Sequence, residues 1–142
     1  MPTTLYILRV LTEKHLLLRV KLLEALISDG AEELHRELEN YSQMLRLASE
    51  EGETEYLEET EVAYDHKVHG RLFSDRIIKI LSALSSKNFN SISELARFLG
   101  RDVANVYKDL KWLEEMGFVS LERIGKNVIP RLLVIEYGIR LH

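Results

Sequence analysis

Arg101, Asn105, Lys108 and Lys111 fall within LGRDVANVYKDLKWLEEMGFV, residues 99–119. A guanidinium, a carboxamide and two ammonium groups are donors suited to base edges and phosphates. If the segment is a helix, its spacing sorts them from the apolar residues. Advancing roughly 100° per residue, Val103, Val106, Leu110 and Leu113 form one stripe that must seat on other helices. Ala104, Lys108, Lys111 and Glu115 fall nearly opposite, with Asn105 and Trp112 stacked at one edge of the exposed face. The start of that face is polar and basic, while Glu114 and Glu115 turn its far end acidic. A helix that enters a major groove by its N-terminal residues uses such a gradient. On that reading Asn105 pairs with adenine, Arg101 with guanine, and Lys108 and Lys111 with phosphates. A plainer reading stands beside it. Arg101 pairs with Asp102 or Glu94. Asp109, Glu114 and Glu115 pair with Lys108 and Lys111 at helical spacing, for ~0.2–0.5 kcal/mol each. Trp112 is expected to pack.

A second polar group follows. Arg123, Lys126, Asn127 and Arg131 cluster around the turn sequence Ile124-Gly125-Lys126-Asn127. Cations at a hairpin tip can lie along a minor groove or its phosphates; otherwise the tip is simply solvated. Ser91 and Ser93 open a helix and could donate to phosphate, although capping already accounts for them. His66-x-x-His69 beside Asp65 invites a metal, but it lacks a third ligand of clear spacing and a predicted helix to align both rings. The chain has no P-loop, G-x-G-x-x-G, G-x-S-x-G or H-E-x-x-H. The acids of residues 50–65 sit in an exposed run where nothing would raise a carboxyl pKa. Neither an enzyme nor a cofactor or metal is expected.

The elements that would position these groups can be read along the chain. TLYILRVL, residues 4–11, reads as a strand. Residues 13–27 repeat Leu16, Val20, Leu23 and Ile27 at helical spacing, with a β-hairpin as the competing reading. Ser28-Asp29-Gly30 marks a stop or turn. A helix over about 31–50 carries a narrow seam of Leu34, Leu38, Tyr41, Leu45 and Ala48. That seam suits an intrachain helical hairpin or, with Leu16 and Leu23, a dimer. EEGETEYLEETEVAYD, residues 50–65, holds eight acids and no base, and reads as a linker or a short strand pair. Ser74 can cap a helix over 75–86 that buries Ile77, Ile78, Leu81 and Leu84. Ser91 and Glu94 form an S-x-x-E capping box before Ile92, Leu95, Ala96 and Leu99. Gly100 ends that helix. Asp102 caps the next, about 103–116, which stops at Gly117. FVSLER and VIPRLLVIEY then make a hairpin, with Pro130 confined to an edge or a bulge.

The order helix, helix, tight turn, helix, hairpin is that of a winged helix-turn-helix. LARFLGRDVANVYKDLKWLEEMGFV resembles the MarR/ArsR-type winged helices of prokaryotic transcription regulators. More narrowly, its LGRDV, NV and DL elements resemble those of a group of predicted archaeal and bacterial DNA-binding proteins. The resemblance covers residues 72–142. It implies a cytoplasmic transcription regulator that binds double-stranded DNA as a homodimer, through a helix at 103–116 and a wing at 123–131.

Composition and charge fit that outline. The 142 residues hold no cysteine, which removes disulfides and thiol chemistry. Net charge is −4, but unevenly spread. Residues 1–70 carry 7 Lys and Arg against 15 Asp and Glu, a balance of −8. Residues 71–142 carry 12 against 8, a balance of +4. Such asymmetry accompanies polyanion binding by one half. No leader or membrane span is expected. The expected class is mainly α with a small β-hairpin (α+β). Residues 1–65 are a helical region for dimerisation or a second protein, and 70–142 the winged helix. The rival is a protein-interaction winged-helix module, a docking or antitoxin-like adaptor without direct DNA readout.

Overall fold

A computed structural model describes residues 3–11, 13–26, 32–51 and 56–142. The chain is α+β and divides into two compact units, Val10–Glu58 and Met1–Arg9 with Glu59–His142. The sequence-derived break at 65–70 differs, because strands at both ends of the chain belong with the C-terminal helices. β1 (Thr4–Leu11) pairs antiparallel with β5 (Val134–Arg140), Leu5 opposite Ile139 and Ile7 opposite Tyr137, with a register shift between Leu8 and Arg9. β2 (Tyr56–Ala63) completes a three-stranded sheet in the order β2-β1-β5. The acidic segment is thus partly a strand. VIPRLLVIEY is two strands, not one: β4 (Asn127–Leu132) stays with β3 (Val119–Ile124), and β5 leaves for β1.

In the first unit, α1 (Glu13–Leu26) and α2 (Glu32–Glu51) pack on each other. Leu16, Val20 and Leu23 are buried one and two turns apart, so the segment is a helix and not a hairpin. Ala48 meets Leu11 and Leu16 in a small core, flanked by Tyr41, Met44, Leu45 and Tyr56. Ile27 and the Ser28-Asp29-Gly30 turn lie outside the described residues.

The second unit is built by local capping. Ser74 Oγ accepts from the N–H of Ile77 and starts α4 (Asp75–Ser86). Its stripe buries Ile77, Ile80 and Leu81, whereas Ile78 is exposed. Ile77 and Leu81 are buried as expected, but Ile80 and not Ile78 completes the stripe, because Ile78 stands about 100° from Ile77 on the helical count. Ser91 Oγ accepts from Glu94 N at 3.0 Å and starts α5 (Ile92–Leu99). The Glu94 carboxylate reaches back to the N–H of Asn90, one residue before the expected box partner. Gly100 adopts φ 67°, which glycine reaches without a Cβ clash. The turn to α6 (Val103–Glu115) is then only Gly100-Arg101-Asp102, and Asp102 caps it through Asn105 N. Val106, Leu110 and Leu113 are fully buried, each contributing about 1.5–3 kcal/mol. Val103, at the first turn, is exposed.

The β3–β4 hairpin turns through Gly125-Lys126 alone, with Ile124 and Asn127 already paired. Pro130 stands opposite Leu121 in this two-stranded sheet, where every strand is an edge. Phe118 and Val119 anchor the hairpin in the core with Leu5, Ile7, Leu95 and Leu110. Arg9 of β1 donates to the Met116 carbonyl at the end of α6, 3.0 Å away. A Cβ on Gly117 would stand 2.8 Å from that guanidinium, and its φ is 78°.

Candidate nucleic-acid interface

On α6, Ala104, Asn105, Tyr107, Lys108 and Glu115 face solvent, opposite the buried stripe. Asn105 and Lys108 therefore stand where the helical count puts them. Lys111 bonds Glu114 Oε1 at 2.9 Å, and that hydrogen bond and charge raise its pKa. The pairing of Lys111 at helical spacing is the plainer of the two readings. Trp112 is partly buried and packs against the core.

Asp109 departs from both readings. It is 3% exposed, the one buried charged residue among those described, and it does not pair with Lys108 or Lys111. Its Oδ1 accepts from Arg71 Nη2 at 2.7 Å. Its Oδ2 accepts from Arg101 Nη2 at 2.8 Å and lies 3.0 Å from Arg76 Nε. The Arg71 guanidinium also stands over the Trp112 ring, 4.6 Å from its centre. Arg101 is thereby drawn into an ion cluster and away from Asp102 and Glu94. Three cations around one anion leave a local balance of +2. Asn105, Asp109 and Trp112 are spaced i, i+4 and i+7, so the cluster lies along the same flank of α6 as Asn105.

Other expected contacts sit elsewhere. Arg123, Lys126 and Asn127 are exposed at the hairpin tip. Arg131 leans toward Glu122, with Nε 3.8 Å from its carboxylate. The Ser91 oxygen accepts the cap bond from Glu94 N, and Ser93 is exposed on the first turn of α5. The structure thus brings Arg101 together with Arg71, Arg76 and Asp109. Asn105 and Lys108 stay on the α6 surface, and Arg123, Lys126 and Asn127 on the tip. Among the residues assigned to dimerisation, Leu16 and Leu23 are buried within their own unit. Leu34, Leu38, Tyr41 and Leu45 are half-buried there.

His66 and His69 do share a short helix, α3 (His66–His69), which the sequence pattern does not predict. The His69 Nδ1 atom accepts from the Asp65 N–H at 3.0 Å, so that nitrogen is already engaged. Arg71 and Arg76 escaped the sequence reading, which took Asp109 only as a helical-spacing partner of Lys108 and Lys111. A signal for Asp109 existed, since it lies about 40° from Leu113 on a helical count, at the border of the buried stripe. No signal marks its arginine partners, because Arg71 is 38 residues away.

A family model described as HVO_A0114 matches residues 72–135, under half of the chain. A comparison with curated proteins gave no match.

Proposed function

We propose that the chain is a DNA-binding transcription regulator whose C-terminal region is a winged helix-turn-helix of MarR/ArsR type. The observation that carries this reading is the surface of α6. Immediately after a glycine-hinged turn, Asn105 and Lys108 project to solvent while the opposite stripe is sealed in the core. Such a helix offers its first two turns to a major groove, where a carboxamide can bond adenine at two points. The β3–β4 hairpin is the wing. Its exposed Arg123, Lys126 and Asn127 supply contacts to phosphate or the minor groove. Arg101, held by Asp109, acts toward the backbone and does not read guanine. A homodimer would set two copies of α6 about 34 Å apart, one turn of the duplex. The overall charge of −4 is compatible with this reading, because contacts within a Debye length of ~8–10 Å respond to local charge.

Titration of the full chain against genomic fragments at several salt concentrations tests the reading. Each phosphate contact adds about −0.9 to the slope of log K against log salt. Asn105→Ala should cost about 1–3 kcal/mol on the preferred site and little on random sequence. Absence of binding at low salt overturns the assignment. A protein-docking module is the second reading. The Lys111–Glu114 pair favours it, because it removes one cation from the presumed DNA face.

A further inference from the structure

The cluster around Asp109 has more donors than it can use. Each guanidinium brings a planar fork of N–H groups, whereas the carboxylate has two oxygens to share among three of them. Arg76 Nε and Arg101 Nη2 converge on the same oxygen. The Arg71 Nε and Arg101 Nη1 atoms are buried with no hydrogen-bond partner among the described residues. Three guanidinium groups around one carboxylate leave an excess of positive charge that a further anion would offset. The cluster is nevertheless tightly constructed. Asp109 is seated on a core helix, the Arg71 guanidinium lies over the Trp112 ring, and Arg101 leaves a three-residue turn. It is also open to solvent on one side. The side chain of Arg76 is 49% exposed and that of Arg71 37% exposed.

We propose that Arg71, Arg76 and Arg101, held by Asp109 and Trp112, form a seat for one phosphate-type oxyanion. Asp109 is a positioning residue in this arrangement: it orders the forks, and the solvent-facing N–H groups of Arg71 and Arg76 bind the oxyanion oxygens. Guanidinium forks match phosphate geometry at two points, which lysines cannot do. A phosphodiester of a DNA backbone and free inorganic phosphate present the same chemistry. Only the first source rests on the function proposed above. The seat lies along the flank of α6 that carries Asn105, so a bound backbone phosphate would set the register of that side chain on the bases.

The chain's single tryptophan stands against Arg71 and serves as the reporter. The full-length protein is titrated with inorganic phosphate at constant ionic strength, against chloride, following Trp112 fluorescence. The same protein is titrated with a random-sequence duplex over a salt series. Arg76→Gln removes a half-exposed member of the cluster. Lys79→Gln removes a charge from the same helix at a residue paired with Asp75 instead. Urea midpoints verify that both variants are folded, and Arg71→Gln replaces Arg76→Gln if that one is not. The expected result is a saturable phosphate response, weakened at least fivefold by Arg76→Gln and unchanged by Lys79→Gln. For the duplex, Arg76→Gln should reduce the magnitude of the salt slope by about 0.9, one lost contact. A phosphate response that depends on Arg76 without duplex binding upholds the seat with free phosphate as its ligand and removes the DNA reading. Duplex binding with an Arg76-dependent slope upholds the seat for a backbone phosphate, even where inorganic phosphate is too weak to detect. Duplex binding that ignores Arg76, with no phosphate response, overturns the seat and leaves the DNA reading intact. Silence in both titrations overturns both.

Discussion

Glu58 and Asp109 each gather arginine in a different unit, in opposite proportions. Among the described residues Glu58 meets one guanidinium, Arg19, at 2.7 Å through Nη2, and the phenol of Tyr41 at 2.5 Å. Arg19 also bonds the Tyr41 hydroxyl at 2.8 Å and lies over its ring. Among the described residues that cluster sets one cation against one anion, with a phenol bridging them. Burial pulls the Arg19 pKa down, but the hydrogen bond and charge of Glu58 outweigh it and raise the pKa. Asp109 meets three guanidinia and bridges none of them to a second acceptor. The Glu58 cluster holds a helix pair to a strand. An unbalanced one keeps donors in reserve, the condition for binding something else. Two groups of similar composition therefore differ in what they leave over.

The largest effect that can break this comparison is at Asp109. Asp109→Ala leaves three cations without their anchor and should cost about 3 kcal/mol, the lower end for a buried pair because its arginines reach solvent. Urea unfolding monitored by Trp112 fluorescence measures it. Inorganic phosphate at a concentration that saturates the wild type should stabilise it more than Arg76→Gln and so widen the difference between them. A smaller loss, about 1–2 kcal/mol, is expected for Glu58→Gln, where the amide still accepts one bond. Its salt slope on DNA should match that of the wild type. A Glu58→Gln loss exceeding that of Asp109→Ala would contradict the stoichiometric distinction.

The smallest effect is pH-dependent. Burial, followed by donation to Glu58, raises the Tyr41 phenol above its ordinary 10.0. Burial also raises Tyr137, whose hydroxyl bonds the Leu72 carbonyl at 2.5 Å. A folded-state pKa raised above the unfolded one gives stability that is full below pH 10.0 and is lost as pH rises through the folded value. Tyr41→Phe should flatten part of that alkaline loss, at a cost near 1 kcal/mol at neutral pH for its hydrogen bonds. Circular dichroism melts between pH 8 and 11 would show no difference in slope if Tyr41 were not coupled to folding.

Much of the second unit was legible because its instructions are short-range. Ser74, Ser91 and Asp102 each cap an N–H three residues on, and Gly100 takes the left-handed conformation its type permits. The second helix followed from period, whereas period left the first open between a helix and a β-hairpin. Ile78 was misplaced because adjacent isoleucines, Ile77 and Ile78, leave the phase of a stripe ambiguous. For the candidate interface, the exposure of Asn105 and Lys108 was legible from helical phase. The fate of Arg101 was not, since charges near in sequence offered it plausible partners and the real one lay across a helix turn.

By itself, then, the sequence determined where α4, α5 and α6 begin and end, and which side of α6 is apolar. Those outcomes depend on hydrogen bonds and side-chain phase within a few residues. Only the tertiary structure decided that β5 returns to β1, that the acidic segment supplies a strand, and that Arg71 meets Asp109 from 38 residues away. These are pairings between distant segments. Their partners become neighbours only when the core of Leu5, Leu110 and Phe118 closes.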